Sequence, residues 1–257
     1  MNRKLDDLMD RLLSRRSLSR WADLADAAPS MPIDRLRGHR GTARSLRRQL
    51  DRLLHHAEHR LALPLIGSTA MRTALGTDWQ WRPDLWSGPL AEPGRAGVLA
   101  GVALCDAVTV FHDCALSELT VRQVRNLRDS DLAPFGLAMD VFRFDGSYLS
   151  LVIDLPAAVL NGLGARHVLR LACAIEMEKP LEVYARINLA LGTGVEQIVR
   201  QFPAQPGEVV AEFDLAYTAL AETRASRIWI DLIFDGPEMN QIILRDVALS
   251  RRTRADL

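Results

Sequence analysis

From residue 98 to residue 250 the chain repeats one pattern, short runs of alternating apolar and polar residues parted by turn residues. Runs of this kind lie near 98–104, 107–113, 118–125, 137–145, 147–155, 168–178, 181–190, 195–202, 208–217, 226–235 and 240–250. In the clearest, Val183, Ala185, Ile187 and Leu189 point one way, and Glu182, Tyr184, Arg186 and Asn188 the other. Phe144-Asp145-Gly146-Ser147 between two runs reads as a hairpin turn. Only a short helical or irregular link near 156–165 interrupts the series. Strands this close together, with no helices between them, predict an antiparallel sandwich or barrel and not an α/β enzyme fold.

The first 63 residues follow another period. Leu5, Leu8, Met9, Leu12 and Leu13 form one helical stripe, and a helical turn or two around Leu18, Trp21 and Leu24 follows. Pro29 and Pro32 break the helix. Leu46, Leu50, Leu53, Leu54, Ala57 and Leu61 then line a long basic helix whose start Gly38 and Gly41 weaken. Such narrow stripes need a surface to lie on, and docking on the β domain or on a second copy is the leading expectation. Residues 1–63 are therefore an arginine-rich helical arm. Residues 64–97 are a Trp/Pro/Gly-rich connecting segment packed on the sandwich, and 98–257 are the β-sandwich domain.

Charge supports this division. The chain carries 32 basic and 32 acidic residues, yet residues 1–60 hold 14 basic against 8 acidic. The basic arm suits an acidic partner: the acidic remainder of the chain, another protein or an anionic membrane surface. Nucleic acid fits less well, because the arm lacks interleaved aromatics. An apolar content of 48% excludes a disordered chain, and three scattered cysteines exclude a disulfide scaffold. No apolar run reaches membrane-spanning length and no signal sequence is visible, so the expected location is the cytoplasm.

Motifs of chemistry are few. His55-His56-Ala57-Glu58-His59 contains H-x-x-E-H, which puts two histidines and a carboxylate on one helix face, but a solvated face is the expectation. His112, Asp113 and Cys114 are neighbours on a strand, so they face opposite ways and cannot act together. No nucleophile elbow, phosphate loop, dinucleotide fingerprint or calcium loop occurs, and no cofactor or metal is expected. Trp79, Trp81 and Trp86 could form a platform for a sugar, or Trp79 and Trp81 could seal one side of the sandwich, the expected role for large rings. Strand-borne polar residues complete the candidate ligand site: Arg143, Asp145, Glu176, Tyr184, Arg186, Asn188, Asp214, Asp231 and Arg245. Alternating arginines and carboxylates can grip hydroxyls in pairs, or can form a solvated face of weak ion pairs.

Two resemblances add to this reading. Trp229-Ile230-Asp231-Leu232-Ile233-Phe234, a turn at Gly236-Pro237, and Ile242 to Leu249 resemble the closing strands of galactose-binding-like jelly rolls, the architecture of carbohydrate-binding modules. Residues 167–189 are similar to the strands that precede them. As a whole the chain resembles an alphaproteobacterial family of unknown function. The matching stretches are Phe111-His112-Asp113-Cys114, Asp140 to Ser147, Glu178 to Glu182, Glu212 to Tyr217 and Gly236 to Asn240. That family carries no activity to transfer.

The fold expected is mainly β, an antiparallel jelly-roll-like sandwich behind an arginine-rich α-helical arm. The function expected is non-catalytic binding, of a saccharide-like ligand or a protein. The alternatives are an adaptor recruited through its arm to a membrane or complex, which could dimerise, and a carbohydrate-active hydrolase or lyase. The last needs two carboxylates at catalytic spacing across one cleft.

Overall fold

Proline sets the first corner. In the computed structural model, which describes residues 3–61, 63, 71–116, 118–202, 207–221 and 223–254, helix α1 (Arg3–Ala27) gives way to a 3-10 turn at Ala28–Ser30 that contains Pro29. Pro32 has no N–H to continue a helix, but its carbonyl accepts from Leu36 N at 3.0 Å and opens α2 (Ile33–Leu61). The stripe near residue 5 and the turns near residue 20 thus belong to one continuous helix. Gly38 and Gly41 lie inside α2 without interrupting it. The chain forms two compact units, Met1–His56 and Ala57–Leu257.

The second unit holds all eleven expected strands and two more. The additions are β1 (Thr77–Trp81) and β2 (Gly94–Ala96), both within the segment expected only to connect, with a one-turn helix α3 (Asp84–Ser87) between them. The others are β3 (Val102–Cys105), β4 (Val108–His112), β5 (Leu119–Arg125), β6 (Phe135–Val141), β7 (Leu149–Asp154), β8 (His167–Met177), β9 (Glu182–Leu191), β10 (Gly194–Phe202), β11 (Gly207–Asp214), β12 (Ala225–Asp235) and β13 (Asn240–Thr253). They form two antiparallel sheets. The first runs β11-β8-β13-β6-β5-β2, with β1 on β13, and the second runs β10-β9-β12-β7-β4-β3.

From β6 onward the chain passes repeatedly between sheets, as in a jelly roll. One expectation fails here. Phe144-Asp145-Gly146-Ser147 joins β6 of the first sheet to β7 of the second, so it is a crossover and not a hairpin. Turn residues reverse the chain in either case, and only pairing partners tell the two apart.

Alternation builds the core. Leu169, Leu171, Cys173 and Ile175 of β8 face Val183, Ala185, Ile187, Leu189, Ile230, Leu232 and Phe234 of the second sheet within one buried cluster. Each large aliphatic side chain so buried stabilises the fold by about 1.5–3 kcal/mol.

Strand β13 serves two neighbours in turn. Residues Asn240–Leu244 pair with β6, Leu249–Arg252 pair with β1, and a bulge lies between Leu244 and Asp246 against β8. Side chains satisfy the carbonyls that the bulge turns aside. Trp86 Nε1 donates to Leu244 O at 2.9 Å, and Asn126 Nδ2 donates to Arg245 O at 2.8 Å. Gly136 permits this packing, because a Cβ there would stand 3.0 Å from Leu244 O and 3.1 Å from Asn126 Oδ1.

Candidate functional site

The outer face of the second sheet assembles polar and aromatic side chains from four strands. Register decides it. Trp229 of β12 stands opposite Asn188 of β9 and Asp154 of β7, and Gln197 of β10 stands opposite Asn188. The next row brings Arg186 beside Asp231, and Asp231 beside Val152. The row beyond sets Tyr184 beside Ile233, and Ile233 beside Ser150, which pairs with Phe111. Side chains two apart on each strand share this face, so the rows form a polar and aromatic grid.

A chain of hydrogen bonds crosses the grid. Arg186 Nε donates to Asp231 Oδ2 at 2.8 Å, and its Nη2 lies 2.7 Å from the same oxygen. Asn188 Nδ2 donates to Asp231 Oδ2 at 3.1 Å, and Gln197 Nε2 donates to Asn188 Oδ1 at 2.8 Å. Both hydrogen bonds and the ion pair meet Oδ2, and Oδ1 accepts from none of the described residues. Beside this chain the Arg227 guanidinium lies 4.8 Å from the centroid of the Trp229 ring. Arg227 Nε also donates to Asp154 Oδ1 at 2.8 Å. Phe111 and Tyr148, both exposed, stand at the far end of this open groove of about 490 Å³.

The loops behind Phe111 and Tyr148 are rigidly tied. Asp113 accepts from Ser147 N at 2.7 Å and Tyr148 N at 3.2 Å, and these bonds with the Ser147 hydroxyl hold its carboxyl below the usual carboxylate range. Buried His112 contacts Val98 O through Nε2 at 2.9 Å and accepts from Cys114 N at Nδ1. That assigns the proton to Nε2 and leaves the ring a structural part. Asp145 accepts from Ala115 N at 2.9 Å, Leu116 N at 3.3 Å and Cys114 Sγ at 2.8 Å, with the thiol bond chiefly lowering its pKa.

The residues singled out from sequence therefore scatter. Arg186, Asn188 and Asp231 meet in the groove. Tyr184 lies one row away, bonded to Glu182, which pushes its phenol pKa up. Asp145 is a loop tie, and Arg143 is exposed, its backbone N–H bonded to Glu118 at 3.4 Å. Trp79 and Trp81 of β1 are half-buried against the core, as the sealing role asks, and Trp86 is fully buried, so it offers no face to a sugar. Asp214 caps the turn Leu215–Tyr217 through Ala216 N at 3.0 Å and lies 3.5 Å from Arg254.

Glu176 and Arg245 lie on the outer face of the other sheet. There Glu176 pairs with Arg245 at 3.1 Å and also with Arg128, beside a cavity of about 260 Å³ floored by Ala172, Ala174 and Ala248. Its arginines are already matched by carboxylates, Arg72 by Glu208 at 2.8 Å among them. This lattice braces the β13 bulge.

Trp229, Arg227, Asp154, Gln197, Phe111 and Tyr148 were not among the site residues expected from sequence. Arg227 and Trp229 precede Asp231 at intervals of two, so the strand period alone put them on its face. The H-x-x-E-H side chains His55, Glu58 and His59 lie outside the described ones. Among the described residues no cluster of three metal-ligating side chains occurs.

No curated protein matches the chain. Among solved structures it is similar to the enzymatically active domain of tailspike protein 4 from bacteriophage CBA120, at 9% identity and a TM-score of 0.41. That match covers 56% of this chain but only 19% of the tailspike chain. TmCBM61, solved with β-1,4-galactotriose, matches at 16% identity and a TM-score of 0.36, over 56% of this chain and 88% of that one. The CBM22-1 xylan-binding domain of Paenibacillus barcinonensis Xyn10C matches at 8% identity and a TM-score of 0.37, over 72% and 100%. A family model matches residues 1–257 in full, and the chain belongs to the Family of unknown function (DUF6478).

Proposed function

We infer that the outer face of the second sheet binds a saccharide without transforming it. The observation that carries this reading is the adjacency of Trp229 to the Arg186–Asp231–Asn188–Gln197 hydrogen-bond chain. A pyranose offers an apolar C–H face and a rim of hydroxyls that both donate and accept. The indole suits the first. The exposed Gln197 amide and the half-buried Arg186 guanidinium suit the second, held in place by the buried Asn188 and Asp231 behind them. The grid holds these groups in place before a ligand arrives, which lowers the ordering cost of binding.

The groove's two carboxylates, Asp154 and Asp231, are each engaged by an arginine, Arg227 and Arg186. That arrangement favours recognition over glycoside hydrolysis, which asks one carboxyl to give up a proton to the leaving oxygen.

The test is thermal unfolding of the full chain with xylan, β-1,4-galactan and mixed-linkage glucan oligosaccharides. A ligand at 100 times its Kd adds about 2.7 kcal/mol, enough to raise the midpoint by a few degrees. Trp229→Ala should abolish the shift and leave the unliganded midpoint nearly unchanged. A shift that survives Trp229→Ala, or no shift with any sugar, would overturn the reading.

A further inference from the structure

Helix α2 leaves its apolar stripe open. Leu46, Leu50, Leu53, Leu54 and Leu61 are 41–78% exposed along a helix of 29 residues. At 100° per residue they occupy an arc of roughly 100°, the width that a core-facing helix normally buries. Arg47 and Arg40 border the stripe, and Arg44, Arg48 and Arg52 continue round the opposite side of the helix. In all, α2 holds eight arginines against three acidic residues. Its described ion pairs, Arg37–Asp34 at 3.5 Å and Arg47–Asp51 at 3.4 Å, are highly exposed. Arg40, Arg44 and Arg52 meet no carboxylate among the described residues.

We propose that α2 lies in the plane of an anionic lipid surface, with its leucines among the acyl chains and its arginines at the headgroups. Charge complementarity selects this occupant. A second copy would bring two helices of the same strong positive charge together. Nucleic acid would satisfy the arginines and leave the leucines in water. An anionic bilayer takes both faces at once, over the roughly 23 Å of helix between Leu46 and Leu61. Among the described residues no helix is long and apolar enough to cross a membrane.

The experiment is co-sedimentation of the full chain with vesicles of phosphatidylcholine alone, and with vesicles in which about a third of the lipid is phosphatidylserine. Binding is expected only to the anionic vesicles, and it should weaken as salt rises. The pair Arg40→Gln and Arg47→Gln, which border the stripe, should weaken it by roughly fivefold per charge removed. The pair Leu50→Asp and Leu54→Asp should abolish it, with circular dichroism and the unfolding midpoint confirming a folded chain. Trp229→Ala should bind vesicles normally, which separates this proposal from the saccharide reading.

Equal binding to both vesicle types, or none at low salt, overturns the proposal. So does binding that the leucine pair leaves intact, since it is then purely electrostatic. Tighter binding to duplex DNA than to vesicles, or a lipid-free dimer that the leucine pair dissociates, assigns the helix to those partners instead.

Discussion

Arg186 Nη2 lies 2.7 Å from Asp231 Oδ2, across the β9–β12 pair and 45 residues away in sequence. The side chain of Asp231 is only 5% exposed, and that of Arg186 is 37% exposed. Replacing the carboxylate leaves a guanidinium and the Asn188 amide short of an acceptor. We expect Asp231→Ala to cost about 1–3 kcal/mol, since water reaches Arg186 and limits the loss. Urea unfolding of Asp231→Ala, Arg186→Ala and the double variant measures the coupling. Additive effects would show that the pair contributes nothing.

Gly146 lies where no side chain fits. A Cβ there would stand 2.5 Å from Asp113 Oδ1 and 2.8 Å from Cys114 N. The second contact is backbone and cannot swing away. Gly146→Ala should therefore destabilise the fold by about 1–3 kcal/mol and displace the loop that carries Tyr148. A midpoint within error of the parent chain would contradict this packing.

Trp86 is fully buried, and its indole N–H is the bond to the bulge carbonyl of Leu244. Trp86→Phe keeps an aromatic ring and orphans that carbonyl. The expected loss is about 1–3 kcal/mol from the unmade bond, with a further loss from the smaller ring. Chemical denaturation reads it directly. A loss below about 0.5 kcal/mol would show that Leu244 O finds another donor.

Two carboxylates should respond to acid in opposite senses. Arg251 bonds Asp78 at 2.9 Å and holds its pKa below 3.8, so the stability it contributes is present above that value. This contribution is lost as pH falls through the lowered folded pKa. Because Asp78 is 41% exposed, the effect is at most about 1 kcal/mol. Asp246 is the reverse. Burial pushes its carboxyl up, although Arg82 at 2.8 Å pulls the other way. Its folded state binds the proton more tightly, so this group favours folding more as pH falls from its raised pKa toward 3.8. Asp78→Asn should thus be less stable than the parent at pH 7, with the gap closing in strong acid. A gap of constant size between pH 7 and pH 2 would exclude the ion pair as its source.

Much of the sandwich was legible in the sequence because strand and helix periods are local. Eleven alternating runs became strands, and two prolines placed the corner between α1 and α2. Strands β1 and β2 were obscured because each is short and lies among turn residues. The turn at Asp145-Gly146 was visible, but its partners were not, since a crossover and a hairpin reverse the chain with the same residues.

The candidate site lay further from reach. Period two put Arg227, Trp229 and Asp231 on one face of β12, and put Tyr184, Arg186 and Asn188 on one face of β9. That those two faces are the same surface, in the register that joins Arg186 to Asp231 and Asn188 to Trp229, is a matter of pairing between distant segments. Trp79 and Trp81 alternate just as Trp229 and Asp231 do, yet β1 turns its rings to the core. Local pattern determined which residues share a strand face. Only the tertiary structure decided which faces meet the core and which meet water, because burial depends on what the opposite sheet covers.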